Sequence, residues 1–203
     1  MKYIRMSASS NFGNMFSMLG ASAMLPFLPM APVQVLLNNL LYDISQTAVP
    51  ADAVDAGYLE QPRAWDIAGI ARTMVLIGPV SSLFDYATFA LMWFVIGASS
   101  PYQAPLFQTG WFVESLLSQT LIVHVLRTSR VPFVESAPSP ALLATTLGVC
   151  GFAVLLPWTP LGASFGLVPL PPAYWLAMAA MLPAYFALTQ WLKMRLVRRF
   201  GTC

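Results

Sequence analysis

The ten basic residues of this chain fall into four groups, and each group stands at an end of an apolar stretch. Lys2 and Arg5 precede the first stretch. Arg63 and Arg72 lie between the second and third, and Arg127 and Arg130 between the fourth and fifth. Lys193, Arg195, Arg198 and Arg199 follow the sixth. The alternate connections, residues 26–32, 99–105 and 159–172, carry no charge. Six membrane spans put every basic residue on one side, which the positive-inside rule identifies as the cytoplasm. An odd number of spans would scatter them.

Composition agrees. Only 9% of the residues are charged and 58% are hydrophobic, against about 25% charged in a soluble domain. At about 20 residues per span, 203 residues accommodate six helices with short loops. The expected fold is an all-α, polytopic membrane helix bundle of about six transmembrane helices with both termini cytoplasmic. Hydropathy and proline punctuation place the spans at about 10–25, 33–49, 73–98, 106–126, 141–158 and 173–192, within a single transmembrane domain covering 1–203. The first two spans are the least hydrophobic, which suits helices in the middle of a bundle. The net charge of +2 records topology and gives no indication of nucleic-acid binding; membrane lipid is the expected surrounding. Cys150 and Cys203 form no disulfide or metal pattern.

Three acids fall at membrane depth: Asp43, Asp85 and Glu114. With all Lys and Arg at the edge, no intramembrane salt bridge is available to them. Each must be protonated, hydrogen-bonded, hydrated or bound to a cation. Asn39 and Asp43 are one helical turn apart and share a face. Asn11 and Asn14 share a face of the first span, and the short Pro26–Pro32 connection makes the first two spans antiparallel neighbours. Gly13 would permit them a close approach. Oxygen ligands from one carboxylate and several amides suit a hard cation, with a lean to magnesium, which is held by one or two carboxylates and keeps much of its water. The competing reading is that the amides only join helices. Asp85 shares a polar stripe with Ser81 and Thr88 and reads as a protonated acid bonded across helices, or as a further ligand. Glu114 fits an ion ligand, a proton carrier or a structural acid. His124 reads as structural. The tryptophans, Trp111 among them, mostly fall near span ends and read as interfacial anchors.

At these residues the chain resembles a known family. The run from Lys2 to Ser17 looks like the fifth membrane helix of P-type ATPases, and Asn39-Leu-Leu-Tyr-Asp-Ile-Ser-Gln46 like the sixth. Gln61-Pro-Arg-Ala-Trp-Asp66, Gly78-Pro-Val-Ser-Ser-Leu-Phe-Asp85, the run from Phe107 to Thr120, and Pro157-Trp-Thr-Pro-Leu-Gly162 look like bacterial magnesium-transporting members. The resemblance implies Mg2+ as the transported ion, a bacterial inner (plasma) membrane location, and cation-ligand roles for Asn11, Asn39 and Asp43. Asn14 departs from calcium pumps of the superfamily, which have Glu there. Glu114 falls in the family's eighth helix.

The DKTGT and TGE motifs of the family's ATP chemistry do not occur in these 203 residues, and there is no glycine-rich phosphate cradle. No ATP site is therefore expected in this chain. The expectation is a C-terminal ion-translocation domain whose partner is the N-terminal catalytic part of the pump, in the same chain or a separate one. On this expectation the sequence is a fragment or split-gene subunit, inactive alone. A non-transporting scaffold or remnant and a passive cation channel are the rival readings.

Overall fold

The structure, a computed structural model, describes residues 2–52, 67–128 and 130–200. They form α1 (Lys2–Met24), α2 (Pro32–Gln46), α3 (Ile67–Ala90), α4 (Ala104–Leu126), α5 (Pro140–Leu155), α6 (Pro160–Ser164) and α7 (Pro172–Phe200). A helical bundle is what the apolar patterning predicts, and the described residues contain no strand beyond an isolated bridge between Pro132 and Ser136. Arg63 and most of the polar stretch after α2 lie outside the described residues.

Proline sets most helix starts. Pro32, Pro105, Pro140 and Pro160 stand in the first turns of α2, α4, α5 and α6, where the missing N–H costs no helical bond. Ser139 and Thr159 cap α5 and α6, accepting from the amides of Leu142 and Gly162. The last turn of the third span widens into a π-helix, Leu91–Val95, and the chain then reverses at Gly97, whose φ of 80° favours glycine.

α4 is the centre of the bundle. It contacts α1, α2, α3, α5 and α7, and it is buried almost all the way round from Phe107 to Leu126. This corrects the expectation that the two least hydrophobic spans sit in the middle. It also corrects their pairing. α1 packs along α3, and α1 and α2 form no comparable contact with each other. Gly13 does permit a close approach, but to α3: a Cβ there would lie 3.0 Å from the Gly78 carbonyl oxygen and 3.1 Å from Ser81 Cβ. Ser82 Oγ crosses the same seam to donate to the Gly13 carbonyl at 3.0 Å.

One end of the bundle is tied by cations. Arg127, just after α4, pairs with Asp52, just after α2, at 2.9 Å and also donates to the Ser136 carbonyl. The second Asp52 oxygen accepts from the Ser139 amide at 2.8 Å. Lys193 of α7 donates to the carbonyls of Val125, Thr128 and Arg130 at 3.0, 3.2 and 2.8 Å. The C-terminal ends of α2 and α4, the start of α5 and the later part of α7 therefore meet at one end, as alternating helix directions require.

The outer surface is apolar: Met15, Leu19, Leu36, Phe94, Val95, Leu147 and Leu176 are exposed. Met74–Val95, Pro140–Trp158 and Pro172–Arg198 are long and apolar enough to cross a membrane. α2 has only 15 residues, and α1 and α4 carry several amides and hydroxyls. Length and composition thus support three of the six predicted spans.

Candidate functional site

α1 and α2 leave a groove of about 240 Å³ between them, over α4. Its polar lining is Asn11 and Asn14 from α1, Asn38 and Asn39 from α2, and Ser115 from α4. Met15, Met18, Met30, Val35 and Trp111 supply the apolar remainder. The i, i+3 spacing of Asn11 and Asn14 turns both amides to one side of α1, toward the groove.

The two adjacent asparagines of α2 differ in role. Asn38 is 2% exposed. Its Nδ2 donates to the Phe112 carbonyl at 3.1 Å, and its Oδ1 accepts from Gln119 Nε2 at 3.2 Å. The same Gln119 amide donates to Ser115 Oγ at 2.6 Å, and Ser115 Oγ donates to Asn14 Oδ1 at 3.5 Å. A chain of amide and hydroxyl groups thus runs from α2 through α4 to α1. Asn39, one residue on, also lines the groove but is exposed, and it makes no hydrogen bond in this network among the described residues. Asp43, a turn beyond Asn39, is also exposed and is not among the groove-lining residues. Asn11, Asn14 and Asn39 are therefore brought together, while Asp43 stands beside them on the open flank of α2. Sequence reasoning passed over Ser115 and Gln119 as site components.

Asp85 and Glu114 form a second polar centre. Asp85, 0% exposed, accepts from Ser17 Oγ of α1 at 2.5 Å and from Trp111 Nε1 of α4 at 2.9 Å. Glu114, 2% exposed, follows Trp111 by one turn of α4 and so lies on the same side of that helix. The expectation that Trp111 is an interfacial anchor is corrected: it is 2% exposed, with one side on the groove and its indole N–H on Asp85. His124 bonds Thr146 across α4 and α5 at 3.0 Å. Among the described residues, no group of three or more His, Cys, Asp or Glu is arranged to hold a metal, so any cation in the groove would rest on amides, a hydroxyl and at most one nearby carboxylate.

An apolar-surfaced bundle with amides gathered in its interior defines a helical membrane protein. The chain belongs to the family described as cation transporting ATPase, C-terminus, which it matches over residues 27–195. It is similar to the magnesium-transporting ATPase, P-type 1, of Salmonella typhimurium, with 49% identity over 200 residues, 98% of this chain and 22% of the relative. It is likewise similar to the protein of that description from Escherichia coli K12, with 50% identity over 201 residues, 99% of this chain and 22% of the relative. The chain thus spans 22% of the length of the curated relatives it matches.

Proposed function

We propose that this chain is the C-terminal ion-translocation region of a magnesium-transporting P-type ATPase, a six-span domain over 1–203 in a bacterial inner membrane. Asp43 and Asn39 bind Mg2+ as the transported ion, with Asn11 and Asn14 supporting and with Asp85 and Glu114 as candidate further ligands. The observation that carries the reading is the convergence of four asparagines on the α1–α2 groove, beside a flank where Asn39 and Asp43 are exposed. An ionisable group at membrane depth costs about 2.5 kcal/mol or more on insertion scales, so Asp43 facing lipid would be unfavourable. A cation, together with further membrane helices of the pump lying along that flank, removes the cost. One carboxylate with amides and retained water matches magnesium better than calcium.

ATP chemistry belongs to the catalytic part of the pump, which acts as this chain's partner. Co-expression with that part in a bacterium lacking other magnesium uptake tests the proposal. The expected result is growth at low magnesium that depends on both parts and is lost with Asp43→Asn. Growth unaffected by Asp43→Asn would favour a scaffold. Magnesium flux into liposomes from this chain alone, without ATP, would favour a channel.

A further inference from the structure

We propose, on the cation reading of the groove given above, that Trp111 is a specificity-determining residue and that Asp85 positions it. The indole occupies the place on α4 where a further oxygen ligand would complete a calcium-like shell. Trp111 stands one helical turn before Ser115, so the two share a face of α4. Both line the groove. α4 therefore presents to it one hydroxyl and one apolar ring.

The ring is held on two sides. Its N–H donates to Asp85 Oδ1 of α3 at 2.9 Å. Phe89, one turn beyond Asp85 on α3, packs edge-to-face against it, with ring centroids 5.0 Å apart and planes at 82°. Asp85 is itself tied, its other oxygen accepting from Ser17 Oγ of α1 at 2.5 Å. Asp85 and Ser17 are both 0% exposed, and neither lines the groove. Of the two candidate further ligands, Asp85 thus acts on the groove indirectly, through the indole. Outer partners of this kind fix the orientation of the groups that face an ion.

Calcium takes about 6–8 oxygens in a flexible shell, whereas magnesium takes a smaller octahedral set and keeps several waters. The groove offers the side chains of Asn11, Asn14, Asn38, Asn39 and Ser115. Asn38 Oδ1 and Asn14 Oδ1 already accept from Gln119 and Ser115. Even with the Asp43 carboxylate beside them, a full calcium shell would have to engage all of these at once. Relief would have to come from α4, and an indole has a donor and no acceptor. Its one polar atom is turned to Asp85, which leaves the ring to the groove. An ion that retains water loses less at such a wall than one that must replace its water with protein oxygens.

ATP-driven transport of magnesium and of calcium by this chain, assembled with the catalytic part in liposomes, tests the proposal. Trp111→Gln puts an amide oxygen in place of the ring, and Trp111→Phe keeps a ring without the N–H. Trp111→Gln is expected to raise the ratio of calcium to magnesium transport about tenfold or more. Trp111→Phe is expected to raise the KM for magnesium with little change in kcat and no gain in calcium transport. A merely structural role would lower transport of both ions together, and an unchanged ratio in Trp111→Gln would overturn the proposal. No magnesium transport by the unaltered assembly would instead remove the cation reading, and the specificity role with it. A second readout needs neither substitution nor transport. With nitrogen-15 tryptophan in the assembly, one indole N–H resonance is expected to resist deuterium exchange and to be broadened by manganous ion, a paramagnetic stand-in for magnesium. Trp111 is the one tryptophan lining the groove among the described residues. Absence of such a resonance would overturn the proposal even if Trp111→Gln failed to assemble.

Discussion

The Arg127 guanidinium lies 2.9 Å from the Asp52 carboxylate, and the two side chains are only 1% and 5% exposed. Two chain segments that lead out of different helices are joined here away from water. Removing one partner of a buried pair strands the other, at a cost of about 3–5 kcal/mol. Arg127→Met is expected to destabilise the bundle by that order, and the double variant Arg127→Met/Asp52→Leu by much less. Unfolding of each variant by sodium dodecyl sulfate in mixed micelles measures the difference. Equal losses in the single and double variants would mean the pair is not the source.

Lys193 contributes in another way. Its ammonium closes the C-terminal end of α4 by binding three backbone carbonyls. A hydrogen bond to a charged group contributes about 1.5–3 kcal/mol. Lys193→Met is expected to loosen the last turn of α4 before the rest of the bundle. Amide hydrogen exchange at residues 123–126 should quicken selectively, and uniform exchange across α4 would count against the assignment.

The glycines separate soft from hard contacts. A Cβ on Gly162 would lie 2.0 Å from the Leu156 carbonyl oxygen, whereas one on Gly110 would meet the Met92 sulfur at 2.6 Å. A methionine side chain can swing aside and a backbone carbonyl cannot. Overpacking costs about 1–3 kcal/mol, and Gly162→Ala should reach the top of that range or exceed it, with Gly110→Ala below it. Thermal midpoints of the two purified variants give the order directly.

Asn38 and Asn39 provide a paired comparison. Asn38→Ala deletes a donor and an acceptor from the α2–α4–α1 chain and leaves Gln119 short of a partner, at about 1–3 kcal/mol. Asn39→Ala touches no described hydrogen bond and should leave stability within about 0.5 kcal/mol, while abolishing the low-magnesium growth described above. If Asn39→Ala unfolded the chain, its place on the open flank would have to be abandoned.

Much of this arrangement was legible in the residues. Prolines and apolar runs set the helices to within a few positions at most ends, and the spacing of Asn11 with Asn14 set their common face. What the sequence did not reveal depends on long-range partners. Gly13 was readable as a close-packing point, but not as one facing Gly78. Trp111 has the composition of an interfacial residue, and only its distant partner, Asp85, makes it internal. The central position of α4 arises because five helices surround it, and hydropathy registers how apolar a segment is rather than how many neighbours it has. Asn38 and Asn39 are identical in type and adjacent in position, so only the packing of α2 on α4 tells the fastened one from the open one.

The shortness of α2 has a consequence for the membrane itself. Fifteen helical residues measure about 22 Å, while the hydrocarbon layer is about 30 Å thick. In the six-span arrangement proposed above, α2 falls short of spanning that layer, and the shortfall is met by helices packed along its flank or by local thinning. Water at the end of so short a helix stands closer to Asn39 and Asp43, and an ion at that flank has less oil to cross than along a full-length span.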